Sequence, residues 1–184
     1  MIIHLISYIH ESDFLDPWIP SNGISRVSPE MWRLRHAVRG IFLNSKGEIP
    51  IIYATKDGYY KLPWWGIEVD EDMLVALERE MMEEVGAVVS HLSALGIVIE
   101  FKSQSANLQI STVFTGRISH LSSPPHYTEQ ELLDGLTLLW CTPSQALELM
   151  ISAKPTSYIG KCIRLRDIRI LEFYLSSWRD LSYT

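Results

Sequence analysis

At 184 residues, 47% of them hydrophobic, the chain holds enough apolar material for one good core and is too short for two ordinary domains. The formal charge of -6 argues against broad binding to nucleic-acid polymers, which requires a basic face that displaces counterions. Cys141 and Cys162 match neither a disulfide framework nor zinc-site spacing, so a reducing cytoplasm is the expected setting. No segment reaches the roughly 20 apolar residues of a membrane helix, and no membrane association is expected.

In chain order, Met1 to Ile9 is apolar but lacks the basic start and uninterrupted core of a signal peptide, and it reads as a strand. Pro17, Pro20, Gly23 and Pro29 then mark turns in an irregular N-terminal extension covering residues 1–34. A single domain is expected over residues 35–184. Strands are predicted at His36 to Leu43 and Ile49 to Tyr53, joined by Asn44-Ser45-Lys46-Gly47 as a hairpin turn, with a second tight turn at Asp57-Gly58. A helix is predicted over Glu71 to Val85, capped by Asp70 and ended by Gly86, with Leu74, Leu77, Met81 and Val85 as its buried stripe. Leu92 to Phe101 and Leu108 to Ile118 read as an antiparallel pair. Beyond them come a strand at Leu136 to Cys141, a helix at Pro143 to Ser152 with proline at its start, and a longer helix at Tyr158 to Trp178.

The predicted helix carries most of the chemistry. Glu80, Glu83 and Glu84 stand at i, i+3 and i+4 and so share one helical face, where like charges repel. Arg79 can neutralise one of them, and a divalent cation would neutralise more, since Mg²⁺ favours carboxylate oxygens and completes its shell with water and phosphate. Spacing alone leaves a solvated acidic face as an equal alternative.

With its flanks, this segment resembles the Nudix box, Gly-x5-Glu-x7-Arg-Glu-U-x-Glu-Glu-x-Gly-U with U aliphatic. Anchored on Arg79-Glu80, the pattern places its first glutamate on Glu71, its paired glutamates on Glu83 and Glu84, and its late glycine on Gly86; Met81 and Ala87 take the U positions. Trp65 stands where the opening glycine belongs. Trp64 replaces a further glycine of the usual Leu-Pro-Gly-Gly lead-in. Outside the box, Thr128 to Glu131, Leu139-Trp140, Ala146 to Glu148, Pro155 to Lys161 and Arg166-Asp167 are similar to a bacterial MutT-like subgroup.

The resemblance implies an α/β/α sandwich with a mixed central sheet, and a hydrolase cleaving the pyrophosphate linkage of a nucleoside diphosphate linked to another moiety X. It implies Mg²⁺ or Mn²⁺ as cofactor, Glu80, Glu83 and Glu84 as metal ligands, Arg79 as the residue that orients a glutamate, and Glu71 as a supporting acid. A small nucleotide is the implied partner, and a homodimer is also implied. The general base is either a box glutamate or a later carboxylate, with Glu129 and Glu131 as candidates. Lys161, Arg164 and Arg166 read as the cationic face of a surface helix, Tyr158 as a packing residue, and His36 as structural.

The tryptophans leave two readings. Glycines there would allow positive φ and a close approach of backbone to metal or phosphate, and indoles remove both freedoms. Either Trp64 and Trp65 line the pocket of an enzyme whose loop uses Gly66, or they block it and leave a non-catalytic binding module.

Overall fold

A computed structural model of the chain describes residues 4–10, 13, 32–67 and 70–181. The prolines and glycine of the expected N-terminal extension lie outside those residues, as do the side chains of Trp64 and Trp65. The elements are β1 (Leu5–Ile9), β2 (Arg33–Leu43), β3 (Ile49–Ala54), β4 (Tyr59–Lys61), β5 (Trp64–Gly66), α1 (Met73–Glu80) and β6 (Ala87–Lys102), followed by β7 (Asn107–Leu121), α2 (Glu129–Leu133), β8 (Leu136–Cys141), α3 (Pro143–Ser152) and α4 (Tyr158–Leu181).

Two sheets form, one of five strands ordered β1-β6-β7-β2-β5 and one of three ordered β4-β3-β8. The larger is mixed, since β1 runs parallel to β6 and β2 parallel to β7, while β6 and β7 pair antiparallel. From Ala37 to Phe42 strand β2 is buried on both faces, and its period-2 alternation divides the core. Val38 and Phe42 face one way, into a cluster with Leu77 of α1, Met81 and Val85. Ile41 faces the other way, into a larger cluster with Ala146 and Met150 of α3 and Ile170 and Leu171 of α4. Helices therefore cover both sides of the strands, and the architecture is the α/β/α sandwich expected from the sequence. Among the described residues no helix is long and apolar enough to cross a membrane.

The antiparallel pair β6/β7, the turn at Asp57-Gly58 and the later elements β8, α3 and α4 lie where the sequence places them. Helix α3 is held at its start by a capping box between Thr142 and Gln145. The expected hairpin of β2 and β3 does not form. Asn44 builds the turn, its side chain accepting from the Lys46 and Glu48 amides, but the strands then separate into the two sheets.

The helix start also differs. Asp72, not Asp70, is the cap and accepts from the amides of Leu74 and Val75, while Asp70 takes a left-handed φ of 64°. With the start moved to Met73, Leu74 falls in the first turn and remains exposed, and Met73 packs on the core instead. The helix does not run evenly to its end. From Met81 to Val85 it widens into a π turn, closed by the Gly86 amide reaching back to the carbonyls of Met81 and Met82.

Gly86 takes a φ of 71°, and a Cβ there would collide with the carbonyl oxygen of Ser123. The same glycine's carbonyl accepts from the amides of Ser122 and Ser123, so the loop after β7 is docked directly onto it. Gly86→Ala should therefore cost more than the roughly 1–2 kcal/mol of left-handed strain alone. A shift in the urea unfolding midpoint at constant slope measures it, and a change below about 1 kcal/mol would contradict this packing.

Candidate active site

The site is built where β4, β5 and α1 converge. Arg79, in the last turn of α1, stands among three acids. It gives Glu71 a two-pronged bond, Nε to Oε1 at 2.9 Å and Nη2 to Oε2 at 3.1 Å, and its Nη1 reaches Glu80 at 2.8 Å and Glu83 at 3.2 Å. Such forked, charge-assisted bonds fix the directions of the carboxylates as well as neutralising them. Glu71, at the helix entrance, and Arg79 thus meet. A lysine could supply the charge but not the fork. In a catalytic reading of this site, Arg79→Lys is expected to lower turnover about tenfold with little change in melting temperature; equal turnover by the arginine and lysine forms would remove the orienting role.

Consecutive residues point roughly 100° apart on a helix, and Glu83 and Glu84 meet different surroundings. The Glu84 side chain is only 7% exposed and points inward to Lys61, with Nζ and Oε1 3.4 Å apart, whereas the Glu83 side chain is 51% exposed. Glu80 and Glu84 line one cavity of about 370 Å³, together with Lys61, Gly66, Asp57 and Glu131. Glu83 is adjacent to this wall through Arg79 but does not line the cavity. Burial pushes the Glu80 carboxyl up to about 7; the bond from Arg79 opposes that rise, and the charges of Glu84 and Glu83 add to it.

Of the later carboxylates, Glu131 reaches the cavity, accepting from the amide and hydroxyl of Thr128 at 2.8 and 2.9 Å. Glu129 lies exposed at the start of α2 and away from the lining. Tyr127 stands nearby. Its buried hydroxyl finds no hydrogen-bond partner among the described residues, and burial pushes its pKa up to about 12, helped by the charges of Glu84 and Glu131.

Trp64 to Gly66 run as a short strand antiparallel to β2, with Trp65 opposite Val38 and Gly66 opposite Ala37. Extended backbone accepts any side chain, so the positive φ that glycines would permit is not called on at these tryptophans. Gly66 does line the cavity. A Cβ on it would lie 3.0 Å from an Arg35 guanidinium nitrogen.

Among the described residues, no group of three or more His, Cys, Asp or Glu is gathered to hold a metal ion. Mg²⁺, however, is commonly held through one or two carboxylates, with water and substrate phosphate completing its shell. Glu80 and Glu84, two hard oxygen donors on one wall, fit that requirement.

The sequence reading did not single out Lys61, although its signal is present. Alternation along β4 turns Tyr59 and Lys61 inward together, and both are buried. A second omission is the ionic layer beneath the site. Arg39 of β2, Glu100 and Lys102 of β6, Gln109 and Ser111 of β7, and Arg166 and Asp167 of α4 are all buried. Alternation from Ile41, Val98 and Val113 places the strand members of this layer on the face covered by α4. Arg166 is therefore not a surface cation. Its Nε donates to Asp167 at 2.7 Å and its Nη1 lies 3.8 Å from Glu100. Arg164 donates to the carbonyls of Met150 and Ile151 at the end of α3.

No protein-family model matches the chain, and no curated protein matches it. Solved structures do. A Nudix hydrolase from Nitrosomonas europaea aligns with a TM-score of 0.59 at 13% identity, over 79% of this chain and 90% of that one. A MutT Nudix hydrolase from Burkholderia pseudomallei aligns with a TM-score of 0.51 at 20% identity, over 74% and 98%. The ORF135 protein of E. coli gives 0.50 at 21% identity, over 79% and 91%. Identities this low speak to architecture alone, and in architecture this chain has the fold of the Nudix hydrolases.

Proposed function

We propose that the chain is a divalent-metal-dependent pyrophosphohydrolase acting on a nucleoside diphosphate linked to X, with nucleoside triphosphates and oxidised deoxynucleotides as the first substrates to try. The observation that carries this reading is the acid wall. Glu80 and Glu84 line one cavity, Arg79 holds Glu80 together with Glu71 and Glu83, and Lys61 faces Glu84. Half-burying clustered acids opposes folding, which is reasonable where their negative charge has a task.

A cation bound by Glu80 and Glu84, with Glu83 adjacent, would supply the positive charge that lets water approach a diphosphate. Arg79 keeps the acids aimed. Lys61 limits the net negative charge that a phosphate must meet. A carboxylate must accept the proton of the attacking water; Glu131 is better situated for this than Glu129, because it lines the cavity. A cytoplasmic setting and a homodimer belong to the same proposal.

The test is turnover of pure protein with Mg²⁺ or Mn²⁺ on nucleoside triphosphates, oxidised nucleotides, nucleotide sugars and dinucleotide polyphosphates, resolved by chromatography. Turnover on at least one class is expected, with loss in Glu83→Gln. Inertness of wild type and variant alike overturns the hydrolase in favour of a non-catalytic binding module. Trp64→Gly with Trp65→Gly addresses the loop: collapse of activity places the indoles in the pocket, and a gain shows that they obstruct it.

A further inference from the structure

Helix α2 is not held in place by its apolar residues. Leu132 and Leu133 are 63% and 76% exposed, so burial does little to fix these five residues against the domain. Hydrogen bonds do so at both ends. Before the helix, the segment from Ser122 to Thr128 is laid along the π turn that ends the acid-bearing helix. The Ser122 and Ser123 amides donate to the Gly86 carbonyl at 2.7 and 3.3 Å, and the His126 amide donates to the Glu83 carbonyl at 2.7 Å. Helix ends leave such carbonyls without an internal partner, and the chain leading to α2 supplies one. After the helix, the carbonyls of Asp134 and Gly135 accept from the amides of Lys56 and Thr55, each at 3.3 Å, in the turn between β3 and β4. The Asp134 carboxylate also accepts from Lys56 Nζ at 2.8 Å, and the Gly135 carbonyl from the Thr55 hydroxyl at 2.8 Å.

Between these two ties, α2 presents Glu131 to the cavity that Glu80 and Glu84 line. Thr128 and Glu131 form a reciprocal cap. The Glu131 amide donates to the Thr128 hydroxyl oxygen at 3.3 Å, while the Glu131 carboxylate accepts from the Thr128 amide at 2.8 Å and from its hydroxyl at 2.9 Å. Both bonds to the carboxylate fall on Oε2. The cap itself needs only the two amide bonds; the hydroxyl bond goes further and fixes the carboxylate. With Oε2 held twice, the group cannot rotate freely, and Oε1 acquires a set direction.

We propose that Thr128 is a positioning residue of the hydrolytic reaction, holding Glu131 Oε2 so that Oε1 takes the proton of the attacking water. The inference rests on the hydrolase reading, and adds to it which atom of Glu131 acts and which neighbour aims it. As the water oxygen bonds to phosphorus, the bridging bond from phosphorus to oxygen breaks and its electron pair leaves with the departing phosphate. One water proton passes to Oε1 and the other stays on the newly formed phosphate. The ties of α2 to the π turn and to the turn between β3 and β4 keep that oxygen at a fixed separation from the acid wall.

Steady-state kinetics of Thr128→Val, Thr128→Ser, Glu131→Gln and the Thr128→Val, Glu131→Gln double variant, on a substrate that wild type turns over, test the assignment. Glu131→Gln is expected to lower kcat about a hundredfold, the low end of general-base catalysis. Thr128 is exposed, so valine there should fold normally; it should lower kcat about tenfold with KM unchanged, the size of one hydrogen bond to a charged group. Thr128→Ser keeps the hydroxyl and should restore the rate. In the Glu131→Gln background Thr128→Val should slow nothing further, because it acts through that carboxylate. A cap without a part in the reaction behaves differently: Thr128→Val would lower the melting temperature and leave kcat unaltered, or slow both backgrounds alike. Either result overturns the proposal, as does full turnover by Glu131→Gln. An inert wild type overturns the hydrolase reading and the proposal together, whereas an active wild type matched by Thr128→Val overturns the proposal alone.

Discussion

Replacing Asp167 with alanine lowers the unfolding free energy by about 3–5 kcal/mol, the cost of removing one partner from a buried ion pair. Asp167 is fully buried and accepts three bonds, from Arg166 Nε at 2.7 Å, Arg166 Nη2 at 3.1 Å and the amide of Leu62 at 2.9 Å. Its loss leaves Arg39, Lys102 and Arg166 with Glu100 as the one remaining carboxylate of the described buried layer. Burial alone would lower the Arg166 pKa, and Asp167, ahead of Glu100, raises it above its ordinary value, so the variant removes the larger of the two charges that hold the guanidinium in place. The Leu62 amide is also orphaned, directly before the strand that carries Trp64 and Trp65. Asp167→Asn keeps an acceptor for that amide and should cost less than alanine. Urea unfolding with unchanged slope is the measurement, and an alanine variant within about 1 kcal/mol of wild type would show that the layer tolerates the loss of this carboxylate.

The helix and its acids were readable because their signals are local. A run of glutamates at fixed spacing, a terminal glycine and an apolar stripe identify the helical segment that spans Met73 to Val85 within about two residues. What the periodicity could not supply was the π turn itself. Nor does spacing say which edge of the shared acidic face turns inward: Glu84 is buried against Lys61 while Glu83 stays exposed. The separation of β2 and β3 was hidden for a related reason: Asn44 and Gly47 specify a turn, and a turn does not specify which strand each arm will pair with. The ionic layer was hardest to see. Arg39, Glu100, Lys102 and Arg166 are far apart in sequence and resemble surface charges one at a time; only β2, β6 and α4 packed together make them a unit. The tryptophans read as a defect because glycine suggests an unusual backbone, whereas the chain there is an ordinary edge strand.

Glu80→Gln should make the metal-free protein more stable and the enzyme about a thousandfold slower, a loss of about 4 kcal/mol of transition-state stabilisation. The two effects share one cause. Glu80 is half-buried, next to Glu83 and Glu84, and burial holds its carboxyl at about 7 against an ordinary value of 4.5. The sign follows from proton counting. Below pH 4.5 the group is protonated in both folded and unfolded chains and carries no penalty. Between 4.5 and about 7 the unfolded chain has given up a proton that the folded chain retains, so rising pH favours unfolding; above that range the penalty is constant. Glutamine escapes it at every pH. The gap in melting temperature between variant and wild type, measured with a chelator present, should therefore be small at pH 4.5 and reach its full size by pH 8. Glu84→Gln should lose turnover similarly but not gain stability, because it leaves the buried Lys61 ammonium facing a neutral amide. A residue kept at the expense of stability and needed for turnover is held for function. If wild type is the more stable protein at pH 8, Glu80 is instead a structural partner of Arg79, and the acid wall loses its claim to be a catalytic one.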